Sequence, residues 1–138
     1  MSTTQPLPPG ARVMAYVRDS GGSEQERSAG QQRQVIEEYC RQHDLLLLQV
    51  YVDAASGGSL DGRDQFQQMV HELRRLAPEP ERGRRDPAAP EGVLYWDLKR
   101  FARSQDDGAY FRADLRRRGY TLVSLSDDIP SGDLAAVF

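Results

Sequence analysis

The sequence predicts an α/β domain, a mainly parallel sheet of four to five strands with helices on both faces. Short apolar runs of strand length alternate with longer segments carrying apolar residues at helical spacing, in the order strand, helix, strand, helix, strand, helix, strand. The strand runs are apolar almost without a break, as strands covered on both faces by helices are. The segments between strands are long enough for helical crossovers, which join parallel neighbours with right-handed connections. A length of 138 residues suits one such domain with a core of useful size.

Composition narrows the class. Hydrophobic residues make up 38% and charged residues 28% of the chain, the balance of a globular protein. No apolar run reaches the length of a membrane span, so no membrane partner and a cytoplasmic location are expected. Residues 1–11 carry prolines and no apolar core of a signal peptide, and are expected to be a flexible tail ahead of a domain at 12–138. One cysteine, Cys40, excludes an internal disulfide and suits the same compartment. The net charge of -3 does not advertise a nucleic-acid binder. Yet 17 of the 18 basic residues are arginine, Lys99 being the exception. A GC-rich genome gives that bias, but arginine is also the residue whose fork fits phosphate oxygens. Composition permits phosphate chemistry without establishing it.

Residues 13–17, Val-Met-Ala-Tyr-Val, have the β-branched and aromatic content of a buried strand. Gly21 and Gly22 follow at once, which puts Ser20 in the loop past the carboxyl end, where open α/β sheets bind their ligands. Arg18 and Ser20, two residues apart, can face the same way. Taken alone they read as a solvated arginine and a turn serine. Ser28 and Gln31 form a capping box for a helix with Val35, Ile36, Tyr39 and Cys40 on one face. Residues 45–52 are the second strand, read as covered on both faces. After a glycine-rich loop, Arg63 opens a helix with Phe66, Met69, Val70, Leu73 and Leu76 in one stripe.

Residues 77–91 hold four prolines and the arginines Arg82, Arg84 and Arg85. They read as an exposed, irregular loop inserted between helix and strand, its arginines a solvated cluster rather than a DNA contact. Residues 92–96 form the third strand. Ser104 with Asp107 caps the next helix, and Gly119 stops it. Tyr110, Phe111 and Leu115 should line its buried side, with Arg112 and Arg116, Arg117 and Arg118 outward. Residues 121–125 are the last strand, and residues 134–138 look like the first turn of a helix that the chain cuts off at 138.

Arg18 and Ser20, Ser56 and Arg63, then Arg100 and Arg103 all follow strand ends, so one edge collects a nucleophilic oxygen and four guanidinium groups. That arrangement suits a phosphodiester: attack builds charge on phosphate oxygens, which forked donors stabilise, and nearby cations favour a serine alkoxide. Acyl transfer fits poorly, because there is no G-x-S-x-G elbow and neither His43 nor His71 is placed to approach Ser20. Walker, dinucleotide-binding and metal-ligand patterns are absent from the sequence.

The residues at these positions resemble the catalytic domain of the serine recombinases, the resolvase/invertase family, and most of all the large serine integrases. The resemblance rests on Y-x-R-x-S (Tyr16, Arg18, Ser20), S-x-x-x-Q (Ser28, Gln32), D-x-x-x-S-G (Asp53, Ser56, Gly57), L-D-G-R (Leu60 to Arg63) and R-F-A-R-S (Arg100 to Ser104). R-G-Y-T-L-V-S-L, then Ile129 and Asp133-Leu134, extend it over nearly all of residues 12–138 apart from the 77–91 loop. It implies a resolvase-like fold and a site-specific recombinase that cuts and rejoins DNA by transesterification, with no metal or other cofactor. Ser20 would be the nucleophile, forming a 5′-phosphoserine link. Arg18, Arg63, Arg100 and Arg103 would hold the phosphate, with Tyr16, Gln32, Ser56, Asp97 and Lys99 in support. The partners implied are DNA and further copies of the chain, in dimers that pair into tetramers.

Two features depart from the family pattern. Lys99 stands where an aspartate usually precedes the first arginine of the R-x-x-R pair, and Asp97 lies two residues earlier. The long dimer helix expected at the end is cut short at Phe138, so the isolated domain is expected to be inactive. The alternatives are a non-catalytic remnant or assembly module of the same fold and, more weakly, a phosphohydrolase.

Overall fold

The computed structural model describes residues 7–18, 29–53, 64–96 and 105–125. Along them run β1 (Arg12–Arg18), α1 (Ala29–Gln42), β2 (Leu46–Asp53), α2 (Asp64–Leu76), a short 3-10 turn (Pro80–Arg82), β3 (Gly92–Tyr95), α3 (Gln105–Arg117) and β4 (Thr121–Ser124). The strands form one sheet in the order β2-β1-β3-β4, and every adjacent pair is parallel. The expected α/β class therefore holds.

β1 is central because it is flanked by β2 and β3, and its alternating side chains feed two cores. Val13, Ala15 and Val17 pack with Val35, Ile36 and Cys40 of α1 on one face. Met14 and Tyr16 pack with the Phe66, Met69 and Leu73 stripe of α2 and with Phe111 and Leu115 of α3 on the other. Helices thus cover both faces, and burying each large apolar side chain contributes about 1.5–3 kcal/mol. Cys40 belongs to the core, as its helical spacing predicts. Burial, with the charge of Glu37, pushes its thiol up to about 11.

β2 departs from expectation. Among the described residues it has a single sheet neighbour, and Leu46 and Leu48 are 56% and 43% exposed. Leu47 pairs with Val13 and Gln49 with Met14, so Leu48 falls in an irregularity of the kind that blunts sheet edges. An unbroken apolar run signals a strand, but its place in the sheet depends on which distant strands pair.

α3 brings a second correction. Phe111 and Leu115 are buried as expected, but Tyr110 is 60% exposed. Arg118, expected outward, turns in to bond Asp114 and the Ala77 carbonyl. Gly119 ends the helix at φ +98, a conformation that costs glycine little, as the sequence predicts.

The 77–91 segment is docked. Its 3-10 turn is exposed, but the Asp86 N–H bonds the Leu76 carbonyl at 2.7 Å and Ala89 is buried. The Arg85 guanidinium lies 4.6 Å from the Tyr120 ring centroid and donates to the carbonyls of Arg118 and Pro90. Arg12 meets Glu91 through its backbone N–H at 2.6 Å and its guanidinium at 2.8 Å. Leu7, in the segment expected to be a loose tail, is buried over Gly92, where an added Cβ would meet it at 2.7 Å. Among the described residues no helix is long and apolar enough to cross a membrane.

Candidate active site at the carboxyl edge of the sheet

β1 outruns β3: the two pair from Val13 to Tyr16, which leaves Val17 and Arg18 beyond the end of β3. Backbone groups in that position need other partners. Gln32 supplies them from α1. Its side-chain nitrogen donates to the Arg18 carbonyl at 2.8 Å, and its oxygen accepts the Arg18 N–H at 3.3 Å. One amide carries both a donor and an acceptor, so it can stand in for a neighbouring strand. Gln32 is fully buried in doing so.

On the other side of β1, Arg18 pairs in register with Asp53, the last residue of β2. Asp53 is only 4% exposed. Its Oδ2 accepts the Tyr16 hydroxyl at 2.8 Å and the Phe66 N–H at 3.0 Å, and its Oδ1 accepts the Gln65 N–H at 2.8 Å. A carboxylate suits that place, because the first turn of α2 presents unpaired N–H groups and the positive end of the helix dipole. The Tyr16 ring packs edge-on against Phe66, with centroids 5.2 Å apart. Three elements, β1, β2 and α2, are thereby joined at one carboxyl group.

Tyr16 and Arg18 leave the strand on the same side, two residues apart. Tyr16 is fully buried and its hydroxyl bonds Asp53, so it is tied to the edge through Asp53. Arg18 is half-exposed at the edge, with its main chain held from two sides. The structure therefore brings together Tyr16, Arg18 and Gln32 of the residues singled out in the sequence. Ser20, Ser56, Arg63, Asp97, Lys99, Arg100 and Arg103 lie outside the described residues. Connectivity still relates their segments: residues 19–28 leave β1 itself, while 54–63 and 97–104 follow β2 and β3, its two neighbours.

Asp53 is the residue of this edge that the sequence does not single out. It figured there only as one letter of a motif. The available signal was an acidic residue closing an otherwise uncharged strand, Leu-Leu-Leu-Gln-Val-Tyr-Val-Asp.

The model of the resolvase N-terminal domain matches residues 13–136. The chain belongs to the resolvase family. Solved structures with the same fold include the N-terminal catalytic domain of TP901-1 integrase, at 20% identity and TM-score 0.63 over 91% of this chain and 88% of that one. A resolvase-family site-specific recombinase from Streptococcus pneumoniae aligns at 23% identity and TM-score 0.66, over 92% and 83% of the two chains. The C-terminal catalytic domain of ISC1926 TnpA, an IS607-like serine recombinase, aligns at 17% and 0.62, over 90% and 74%. No curated protein matches. At these identities the likeness to solved structures is one of fold.

Proposed function

We propose that this resolvase-family chain is the catalytic domain of a site-specific DNA recombinase and that Ser20 is its nucleophile. The observation that carries the reading is the anchoring of Arg18 at the end of the central strand, by Gln32 on one side and the Asp53 register pair on the other. A guanidinium on a fixed main chain, two residues before a serine, is a preorganised donor for charge that develops on a phosphate oxygen.

In the proposed reaction the Ser20 oxygen attacks a DNA phosphorus. A P–O bond to serine forms and the P–O3′ bond breaks; the proton that the serine hydroxyl gives up is matched by the one the leaving 3′ oxygen takes up, directly or through water, so no net proton is gained or lost. The ester keeps the energy of the broken bond, so a 3′-hydroxyl from another strand can reverse the step without a nucleotide cofactor. Arg18, Arg63, Arg100 and Arg103 neutralise the phosphate. Tyr16 and Gln32 act as positioning residues, with Ser56, Asp97 and Lys99 supporting the site. Action as a dimer that pairs into a tetramer around two DNA sites, in the cytoplasm, goes with this reading.

The test uses the protein that carries this domain together with its recombination site. Ser20→Ala should abolish the covalent protein–DNA adduct and leave DNA binding intact. Arg100→Lys and Arg103→Lys should each slow cleavage by the equivalent of roughly 2–4 kcal/mol, the scale of one lost transition-state donor. An adduct that persists in Ser20→Ala removes Ser20 as nucleophile. No adduct from the unaltered protein favours a non-catalytic domain of the same fold.

A further inference from the structure

Between α2 and α3 lies a cleft of about 420 Å³, lined by Arg74, Glu79, Tyr110, Asp114, Arg117 and Arg118. Buried Asp114 organises it. Its Oδ2 accepts Arg74 Nε at 2.8 Å, and its Oδ1 accepts Arg118 Nε at 3.1 Å and Arg117 Nη2 at 3.3 Å. Glu79 accepts Arg117 Nη2 at 2.7 Å, faces Arg118 Nη2 at 4.0 Å and pairs with Arg82 Nε at 3.4 Å. Three guanidinium groups line the cleft with two carboxylates, a surplus of one positive charge, and Arg82, paired with Glu79 from outside the lining, raises it to two. Arg74 also donates to the Tyr110 hydroxyl at 3.3 Å.

The guanidinium groups are held in place but not used up. Among the described residues Arg117 engages only Nη2, and its side chain is 55% exposed. Forked donors fixed in advance, with N–H groups still open to water, are what an oxyanion binds. A terminal phosphate carries close to two negative charges at neutral pH, which matches the surplus better than the single charge of a backbone diester. The cleft is also separate from the edge that holds Arg18. Arg74 lies nine residues beyond Gln65, about 14 Å along the helix.

We infer that the α2–α3 cleft is a second anion site that takes a dianionic phosphate group, from a free diphosphate or from a phosphorylated DNA end. Inorganic pyrophosphate titrated into the chain should raise its melting temperature saturably and shift the Arg74 and Arg117 Nε–Hε resonances. Arg117→Gln should weaken that binding roughly tenfold or more, the loss of one charge-assisted contact. Arg33→Gln, on the exposed side of α1 and away from both the cleft and the carboxyl edge, should leave it unchanged. Arg82→Gln, at a side chain 79% exposed, gives a variant with no folding burden and should weaken binding several-fold. Tighter binding of a 5′-phosphorylated duplex than of its 5′-hydroxyl counterpart assigns the source to DNA ends; binding of pyrophosphate alone assigns it to a small anion. Absence of saturable binding, or binding that survives both Arg117→Gln and Arg82→Gln, overturns the site.

Discussion

At Asp53 one carboxyl group accepts from three donors of two elements, and two of those bonds are fully buried. Asp53→Ala removes the cap of α2 and the carboxylate acceptor of the buried Tyr16 hydroxyl. A lost cap costs about 1 kcal/mol and an orphaned buried donor about 1–3. The variant should therefore lose roughly 2–4 kcal/mol in urea unfolding. Tyr16→Phe keeps the cap and removes only one bond, so it should cost about half as much. Equal losses in the two variants would show that capping contributes nothing. Gln32 works by the same logic on Arg18, where it supplies the peptide partners that β3 is too short to reach.

The packing of α3 on α2 joins helices through charge as well as apolar contact. Burial works against the ionised form of Asp114, but its bonds to Arg74 and Arg118 outweigh that and hold its carboxyl below the usual aspartate range. A carboxyl group lowered on folding contributes stability that is complete above its unfolded value of about 4 and is lost as pH falls through its folded value. Glu91 is lowered chiefly by its bond to Arg12 and Glu72 by its bond to Arg75, and both act in the same direction. Urea midpoints should therefore drop as pH is taken below about 4. Asp114→Asn should be less stable at neutral pH yet fall less steeply in acid. An acid limb of unchanged slope in that variant would mean the Asp114 network is not linked to folding.

For the molecule as a whole, charge decides how it meets DNA. The net charge is -3, and many of the described arginines are already engaged by carboxylates, as in Arg12–Glu91, Arg33–Glu37, Arg41–Glu38 and Arg75–Glu72. DNA affinity comes chiefly from cations that neutralise phosphates, and few of the described arginines remain for that purpose outside Arg18 and the α2–α3 cleft. Residues 1–138 alone should bind duplex DNA no tighter than ~10⁻⁴–10⁻⁶ M at physiological salt, as a monomer or weak dimer. A binding titration and sedimentation check this. Nanomolar sequence-specific binding, or a stable tetramer, would show that this chain carries recognition and assembly surfaces of its own.

The alternation of elements, the apolar stripe of α2, the core position of Cys40 and the stop at Gly119 were all readable from the chain, because each follows from periodicity or conformational preference over a few residues. The Y-x-R-x-S start and the later arginine motifs pointed to the resolvase family for a related reason: a motif is a local spacing. Tertiary structure alone decided that β1 lies at the centre and β2 at the edge, and so exposed Leu46 and Leu48. It alone turned Arg118 inward to Asp114 and docked Arg85 over Tyr120. The role of Asp53 belongs to the same class. Its bond to Tyr16 spans 37 residues, and no window along the chain contains both partners. Strand order and buried polar pairs are set by which distant segments meet, and that is a competition among whole arrangements of the chain.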